Sequence, residues 1–157
     1  MSGRSHRYET RVEWSGNLGK GTSGYREYAR RHEISAEGRP PIPASSDPTF
    51  RGEKDRWNPE QLLLASLSSC HMLWYLHLCA DAGVVVETYA DSAQGTMVEE
   101  ADGGGRFTAV VLRPRVGLAP GSNAEVALRL HHEAHAKCFI ASSVAFPVLC
   151  EPSFGEP

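Results

Sequence analysis

NPEQLLLASLSSCHMLWYLHLCADA, residues 58–82, is the longest stretch of the chain with helical character. Asn58 is a good N-cap, Pro59 suits the first helical position, and Gln61 is placed to complete a capping box. Gly83 closes the pattern, because a glycine after a helix readily adopts the left-handed conformation. The sequence therefore predicts a central helix over residues 58–82, with Cys70 in its middle.

The side chains of this helix are apolar on nearly every face. One face carries residues that recur at spacings of three and four, namely Leu63, Leu67, Cys70, Trp74 and His77. Leucines also occupy its flanks, and a helix that is apolar nearly all round is typically a buried one. Gln61, two histidines and several serines within 25 residues argue against a transmembrane helix.

The composition favours one globular domain without a nucleic-acid or membrane partner. The chain has 157 residues and a formal net charge of -3, with acidic and basic residues interspersed. There is no basic face or lysine-rich tract to attract nucleic acid or an anionic membrane, and the N-terminus lacks the apolar segment of a secretory signal. We therefore expect a cytoplasmic protein whose four cysteines are free, redox-active or metal-bound rather than structural disulfides.

The order of the predicted elements indicates an α+β chain with one domain over residues 1–157. Residues 8–57 form an N-terminal hairpin and a proline-rich loop, and residues 58–82 form the central helix. Residues 84–153 contain two β-branched strands around an Asp-Gly turn, a second helix ending near Cys138, and a final strand at 146–149. Because strands and helices do not alternate regularly, a parallel βαβ fold is not favoured.

Helix geometry separates the cysteines. Cys79 lies nine residues after Cys70, about 180° round the helix and ~13 Å along it, so these two sulfurs cannot form a disulfide. A thiol partner for Cys70 would come from outside the helix, as Cys138 or Cys150. We favour Cys138, because it would lie at a helix start where backbone N–H groups stabilise a thiolate, and we interpret Cys150 as incidental. The alternative is that Cys70 is simply a core cysteine.

Several segments of the sequence resemble the OsmC/Ohr family. They are NPEQLL at residues 58–63, Ser69-Cys70-His71, AKCFIAS at residues 136–142, and FRGEK at residues 50–54. The resemblance extends from about residue 8 to residue 153. His71 stands where the hydroperoxide reductases usually have an aromatic residue, and the proline-rich loop is longer, so the chain resembles a divergent subgroup.

The resemblance implies an OsmC-like fold, with antiparallel sheets around the long central helix, in an intertwined homodimer whose active sites lie at the subunit interface. It implies a thiol-dependent peroxidase that reduces organic hydroperoxides at the expense of an external thiol or dithiol, without a cofactor. Cys70 would be the peroxidatic cysteine and Cys138 the resolving cysteine that forms a disulfide with it. The family glutamate falls on Glu60.

The family also uses an arginine to hold the thiolate, and it corresponds best to Arg51, with Arg26 or Arg30 as alternatives. A neighbouring guanidinium lowers the pKa of a thiol and can hydrogen-bond a peroxide oxygen. In a continuous helix Glu60 would lie ~15 Å from Cys70 along the axis. Glu60 would therefore act through a helix break, through an arginine or on the other subunit, or it is only a first-turn residue favoured by the helix dipole.

His131, His135 and Cys138 support a competing interpretation. Their i, i+4, i+7 spacing would put them on one helical face, and imidazole and thiolate are zinc or copper ligands. Otherwise this face is the solvated surface of an amphipathic helix. A further hypothesis is a non-enzymatic, redox-responsive or small-ligand-binding dimer, which keeps the cysteines but lacks the arginine–carboxylate pair.

Overall fold

The computed structural model describes residues 3–155, which divide into two compact units. The first unit extends to Leu62 and the second begins at Leu63, so the boundary falls in the first turn of the central helix α1, Pro59–Asp81. Residues 1–2 and 156–157, which belong to the predicted 1–157 domain, lie outside the described residues. The mixture of helices and small sheets confirms the α+β class.

The first unit contains one antiparallel sheet of three strands in the order β1-β2-β3. The strands are β1 (Arg11–Trp14), β2 (His32–Ser35) and β3 (Ile42–Ala44). β1 and β2 form the predicted hairpin, whereas β3 lies within the stretch predicted as a proline-rich loop. Pro43 is tolerated in β3 because this is an edge strand, where a missing N–H costs no ladder hydrogen bond.

The second unit contains two sheets of three strands, ordered β4-β7-β9 and β5-β6-β8. The strands are β4 (Val86–Asp91), β5 (Gln94–Glu99), β6 (Gly105–Leu112), β7 (Pro114–Leu118), β8 (Val148–Cys150) and β9 (Ser153–Phe154). β4 pairs with β7 and β5 with β6 in antiparallel fashion, as predicted, but β8 and β9 join in parallel. Arg113 separates β6 from β7, so the stretch predicted as one returning strand serves both sheets.

The buried stripe of α1 organises the core of the second unit. It consists of Leu67, His71, Tyr75 and Cys79, spaced four residues apart. Leu67 packs with apolar residues of β6 and β8, whereas Tyr75 and Cys79 pack with β7 and with the second helix α2, Ala124–Lys137. α1 is long and apolar enough to cross a membrane by length and composition alone. Its packing against two sheets and α2 identifies it instead as a core helix.

Candidate active site

Cys70 and Cys138 are brought together by α1 and by the end of α2. Cys70 lies half-buried in the middle of α1, and Cys138, of which 1% is exposed, immediately follows the last residue of α2. Both are free thiols, and the Cys70 thiol lies close enough to that of Cys138 to contribute to the raised pKa of Cys138. A sulfur on the central helix therefore faces a sulfur from a segment far along the chain.

The backbone turn after α2 fixes the environment of the Cys138 thiol. The Ala141 N–H donates to Cys138 Sγ at 3.4 Å, and the Ser142 N–H donates to the Cys138 carbonyl at 3.0 Å. Burial raises the pKa of Cys138 to about 11; the Ala141 N–H opposes this rise, and the neighbouring Cys70 adds to it. The sequence predicted Cys138 at a helix start with a stabilised thiolate, but the structure places it at the C-terminal end of α2, before the turn that begins at Ala141. Burial outweighs the effect of the Ala141 N–H group and keeps the Cys138 thiol protonated at neutral pH.

Aromatic side chains border the two cysteines. Trp74 lies one turn after Cys70 on α1 and meets Phe139, the residue after Cys138, edge to face with ring centroids 5.7 Å apart. Phe139 is 68% exposed, and Lys137 Nζ lies 5.6 Å from the centre of the Trp74 ring. The segments that carry the sulfurs therefore also carry an accessible apolar surface and a cation.

Glu60 and Arg51 belong to the first unit. Glu60 lies in the first turn of α1, and its Oε2 is buried with no hydrogen-bond partner within residues 3–155. Arg51 is exposed, ends a short 3₁₀ turn at Pro48–Phe50 and adopts a φ of 65°, a left-handed conformation that is rare for an arginine. Burying a carboxylate oxygen without a hydrogen-bond partner lowers the stability of the fold, and a neighbouring cation would offset that loss. The roles of both residues towards Cys70 stay predictions.

The two alternative arginines, Arg26 and Arg30, differ in the number of contacts that their side chains make with neighbouring residues. The Arg30 guanidinium lies 4.4 Å and 4.0 Å from the ring centres of Tyr25 and Tyr28, and it donates hydrogen bonds to the carbonyl oxygens of the same two residues. Arg26 is exposed on the same connection. Arg30 thus has a structural role in holding this loop together, which explains its presence without a catalytic function.

A second cluster of polar side chains is buried in the core of the second unit. His71 on α1, His131 on α2 and Cys150 at the end of β8 direct Nε2, Nδ1 and Sγ towards one another. The two nitrogens are 3.0 Å apart, and the sulfur lies 3.6 Å from His71 Nε2 and 4.0 Å from His131 Nδ1. The Tyr75 ring stacks on the imidazole of His131 with centroids 3.8 Å apart.

This cluster differs from the histidine face predicted on α2. His131 is buried, but His135 is exposed, and the helix ends at Lys137 so that Cys138 turns towards Cys70. The sequence interpretation missed His71 and Cys150 as partners of His131. The four-residue spacing of His71 with Leu67, Tyr75 and Cys79 was the available signal for its burial.

Burial controls the ionisation of this cluster. It lowers the pKa of His71 to about 4 and that of His131 to about 3, so that both rings are neutral at neutral pH. It raises the pKa of Cys150 to about 12, with smaller contributions from the carboxylates of Asp91 and Glu151. The cluster therefore holds two neutral imidazoles beside a protonated thiol.

Comparison with known proteins defines the class of this fold. A family model described as OsmC-like protein matches residues 52–152. An OsmC-like protein of unknown function from Vibrio cholerae shares 32% sequence identity with the chain, covers 95% of this chain and 100% of its own, and superposes with a TM-score of 0.86. The chain belongs to the OsmC family.

Two more distant structures share the fold. An organic hydroperoxide resistance protein OsmC from Legionella pneumophila is 17% identical, with a TM-score of 0.68, over 98% of this chain and 100% of that one. An OsmC-like protein from Mycoplasma pneumoniae is 11% identical, with a TM-score of 0.73, over 98% and 100%. No curated protein matches the chain. The OsmC fold predicted from the motifs is thus confirmed, and a redox role is consistent with the family.

Proposed function

We propose that the chain is a thiol-dependent peroxidase that reduces organic hydroperoxides through Cys70. The Cys70 thiolate attacks the outer peroxide oxygen, the O–O bond breaks, and the alkoxide takes up a proton and leaves as an alcohol. The oxidised sulfur, now a sulfenic acid, condenses with the Cys138 thiol to a disulfide and releases water. An external dithiol then reduces this disulfide by exchange and becomes oxidised itself.

The juxtaposition of Cys70 and Cys138 is the observation that carries this proposal. Cys70 is the more exposed sulfur, whereas Cys138 is buried and kept protonated by its raised pKa. Because the thiolate is the nucleophile, we expect a peroxide to react first with Cys70. Cys138 then reacts with the sulfenic acid that forms on Cys70. The rings of half-buried Trp74 and exposed Phe139 suit an organic substituent on the peroxide better than hydrogen peroxide.

The remaining parts of the proposal concern the subunit arrangement. Leu73, on the same helix as Cys70, is 62% exposed, and Phe139 is also largely exposed; large exposed apolar side chains favour burial against a second copy of the chain. In such a homodimer Glu60 and Arg51 would act as a carboxylate–guanidinium pair at the cysteine of one or the other subunit. The named Legionella protein supports hydroperoxides as the substrate class. The expected compartment is the cytoplasm, where external thiols are available.

The experiment is peroxide consumption with cumene hydroperoxide and a dithiol reductant such as dihydrolipoamide. Cys70→Ser should abolish turnover, and Cys138→Ser should allow at most one fast turnover before the sulfenic acid is over-oxidised. Cys79→Ala, a buried cysteine on the opposite side of α1, is the matched control and should turn over as the wild type. Unchanged turnover in Cys70→Ser would refute the proposal.

Mass spectrometry of the oxidised wild type gives an independent readout. A Cys70–Cys138 disulfide is expected, and a Cys70–Cys150 disulfide would overturn the assignment of Cys138. A disulfide that forms and is reduced reversibly, without peroxide turnover, would instead identify the non-enzymatic redox-responsive dimer.

A further inference from the structure

We propose that His71, His131 and Cys150 form a three-ligand site for one thiophilic d10 cation, Cu⁺ or Zn²⁺. The proposal is independent of the peroxidase function, because it uses neither Cys70 nor Cys138. The ligand atoms come from α1, α2 and β8, so the site joins three elements of the second unit. Two imidazoles and a thiolate are a ligand set that both ions accept.

The distances between the ligand atoms fit a single small cation. Metal–nitrogen bonds of about 2.1 Å and metal–sulfur bonds of about 2.3 Å place tetrahedral ligand atoms roughly 3.3–3.6 Å apart. The observed separations are 3.0, 3.6 and 4.0 Å. The mean of the three distances lies within this range. Small rotations of the side chains that move the ligand atoms by a few tenths of an ångström would make the three distances equal.

The burial of the site explains why the ligands are available to a cation. His71 and His131 are 1% and 3% exposed, and both rings are neutral, so each ring has one nitrogen with a lone pair. The ring whose inward nitrogen donates the 3.0 Å hydrogen bond coordinates once that hydrogen has moved to its outer nitrogen. Cys150 coordinates only after its proton has moved to solvent, and bound metal drives that ionisation. The thiolate then cancels the charge of Cu⁺, or half that of Zn²⁺.

A nearby carboxylate favours positive charge at the cluster of His71, His131 and Cys150. The negative charge of the Asp91 carboxylate acts on this cluster: it opposes the lowering of the His71 pKa by burial and adds to the raising of the Cys150 pKa. Asp91 itself is held by the Ser68 hydroxyl and by the Arg113 N–H. It therefore stabilises positive charge at the site without needing to move, as carboxylates near metal ligands commonly do.

The outer nitrogens of the two rings set the expected strength of binding. His71 Nδ1 and His131 Nε2 have no hydrogen-bond partner in the part of the chain that the structure describes. Outer-shell hydrogen bonds typically contribute about 10–100-fold to metal affinity. We therefore expect a site that binds metal more weakly than a structural zinc site whose histidines have outer-shell hydrogen bonds.

The test titrates the reduced, tag-free protein with each ion under anaerobic conditions. Co²⁺ serves as the spectroscopic substitute for Zn²⁺, because thiolate coordination gives a near-ultraviolet charge-transfer band. Cu⁺ is measured by competition with a chromophoric chelator. Cys150→Ser removes the sulfur, His71→Gln removes one imidazole, and the double variant Cys70→Ser with Cys138→Ser is the matched control that removes two other thiols.

One equivalent of Co²⁺ or Cu⁺ is expected to bind the wild type and the control, and binding should fall at least tenfold in Cys150→Ser. The ion that binds more tightly decides between zinc and copper. Binding of neither ion would overturn the proposal, and so would binding that survives Cys150→Ser or disappears in the control. If His71→Gln loses its helical circular dichroism, Cys150→Ser alone decides.

Discussion

The thiol of Cys138 should be among the slowest in the chain to alkylate, and replacing its neighbour should speed it up. Its pKa is raised from an ordinary value of 9.0 to about 11. Two pKa units reduce the thiolate fraction about a hundredfold at neutral pH, and alkylation follows the thiolate. Because Cys70 is one of the causes of the rise, Cys70→Ser should increase the Cys138 rate. Burial is the largest cause, so the rate should stay below that of the unfolded chain.

Iodoacetamide labelling of the reduced protein, quenched over time and read by peptide mass spectrometry, measures this rate. The same cysteine in urea-unfolded protein is the internal reference, which removes differences in intrinsic reactivity. We expect Cys138 to react at least tenfold more slowly in the folded wild type than in urea. Equal rates in the two states would refute the burial argument. An unchanged or slower rate in Cys70→Ser would refute the effect of Cys70 on the pKa of Cys138.

Three further predictions concern stability, measured as the free energy of unfolding in urea. Leu67→Ala should lose about 2–5 kcal/mol because Leu67 is fully buried, whereas Leu128→Ala, on the exposed side of α2, should lose less than about 1 kcal/mol. Asn58→Ala should lose about 1 kcal/mol by removing the hydrogen bond that caps α1. Gly52→Ala should lose more than an ordinary surface change, because a Cβ would lie 1.5 Å from the Ser46 carbonyl oxygen. Equal losses for the two leucines, or none for Asn58 or Gly52, would contradict the packing described.

The ends of α1 were predictable from the sequence, but its buried face was not. Asn58 and Gln61 exchange the two hydrogen bonds of the predicted capping box. The predicted face ran from Leu63 to His77, whereas the buried stripe includes His71 and Tyr75. A helix that is apolar nearly all round has no periodicity to select one face. The strands and α2 that pack against α1 make that selection.

The contents of the two side-chain clusters were predictable to different degrees. The Cys70–Cys138 pair followed from family motifs, which carry information about contacts that local spacing lacks. The partners of His131 were sought on its own helix, where i, i+4 spacing is visible. Its actual partners, His71 and Cys150, come from elements far apart in sequence, and only the packing of α1, α2 and β8 brings them together.

The two clusters occupy consecutive residues of one helix, since Cys70 faces Cys138 while His71 faces His131. A disulfide restricts the separation of the Cα atoms it joins to about 4.4–6.8 Å, and so fixes α1 against the end of α2. A metal bound by His71 and His131 would fix the same two helices one residue further along α1 and about two turns before the end of α2. If formation of the disulfide changes the affinity of the histidines for the metal, linkage requires the metal to change the stability of the disulfide by the same factor. Metal would then shift the reduction potential of the cysteine pair by the same free energy by which oxidation shifts metal binding, and the separate chemistry of the clusters would be joined through α1.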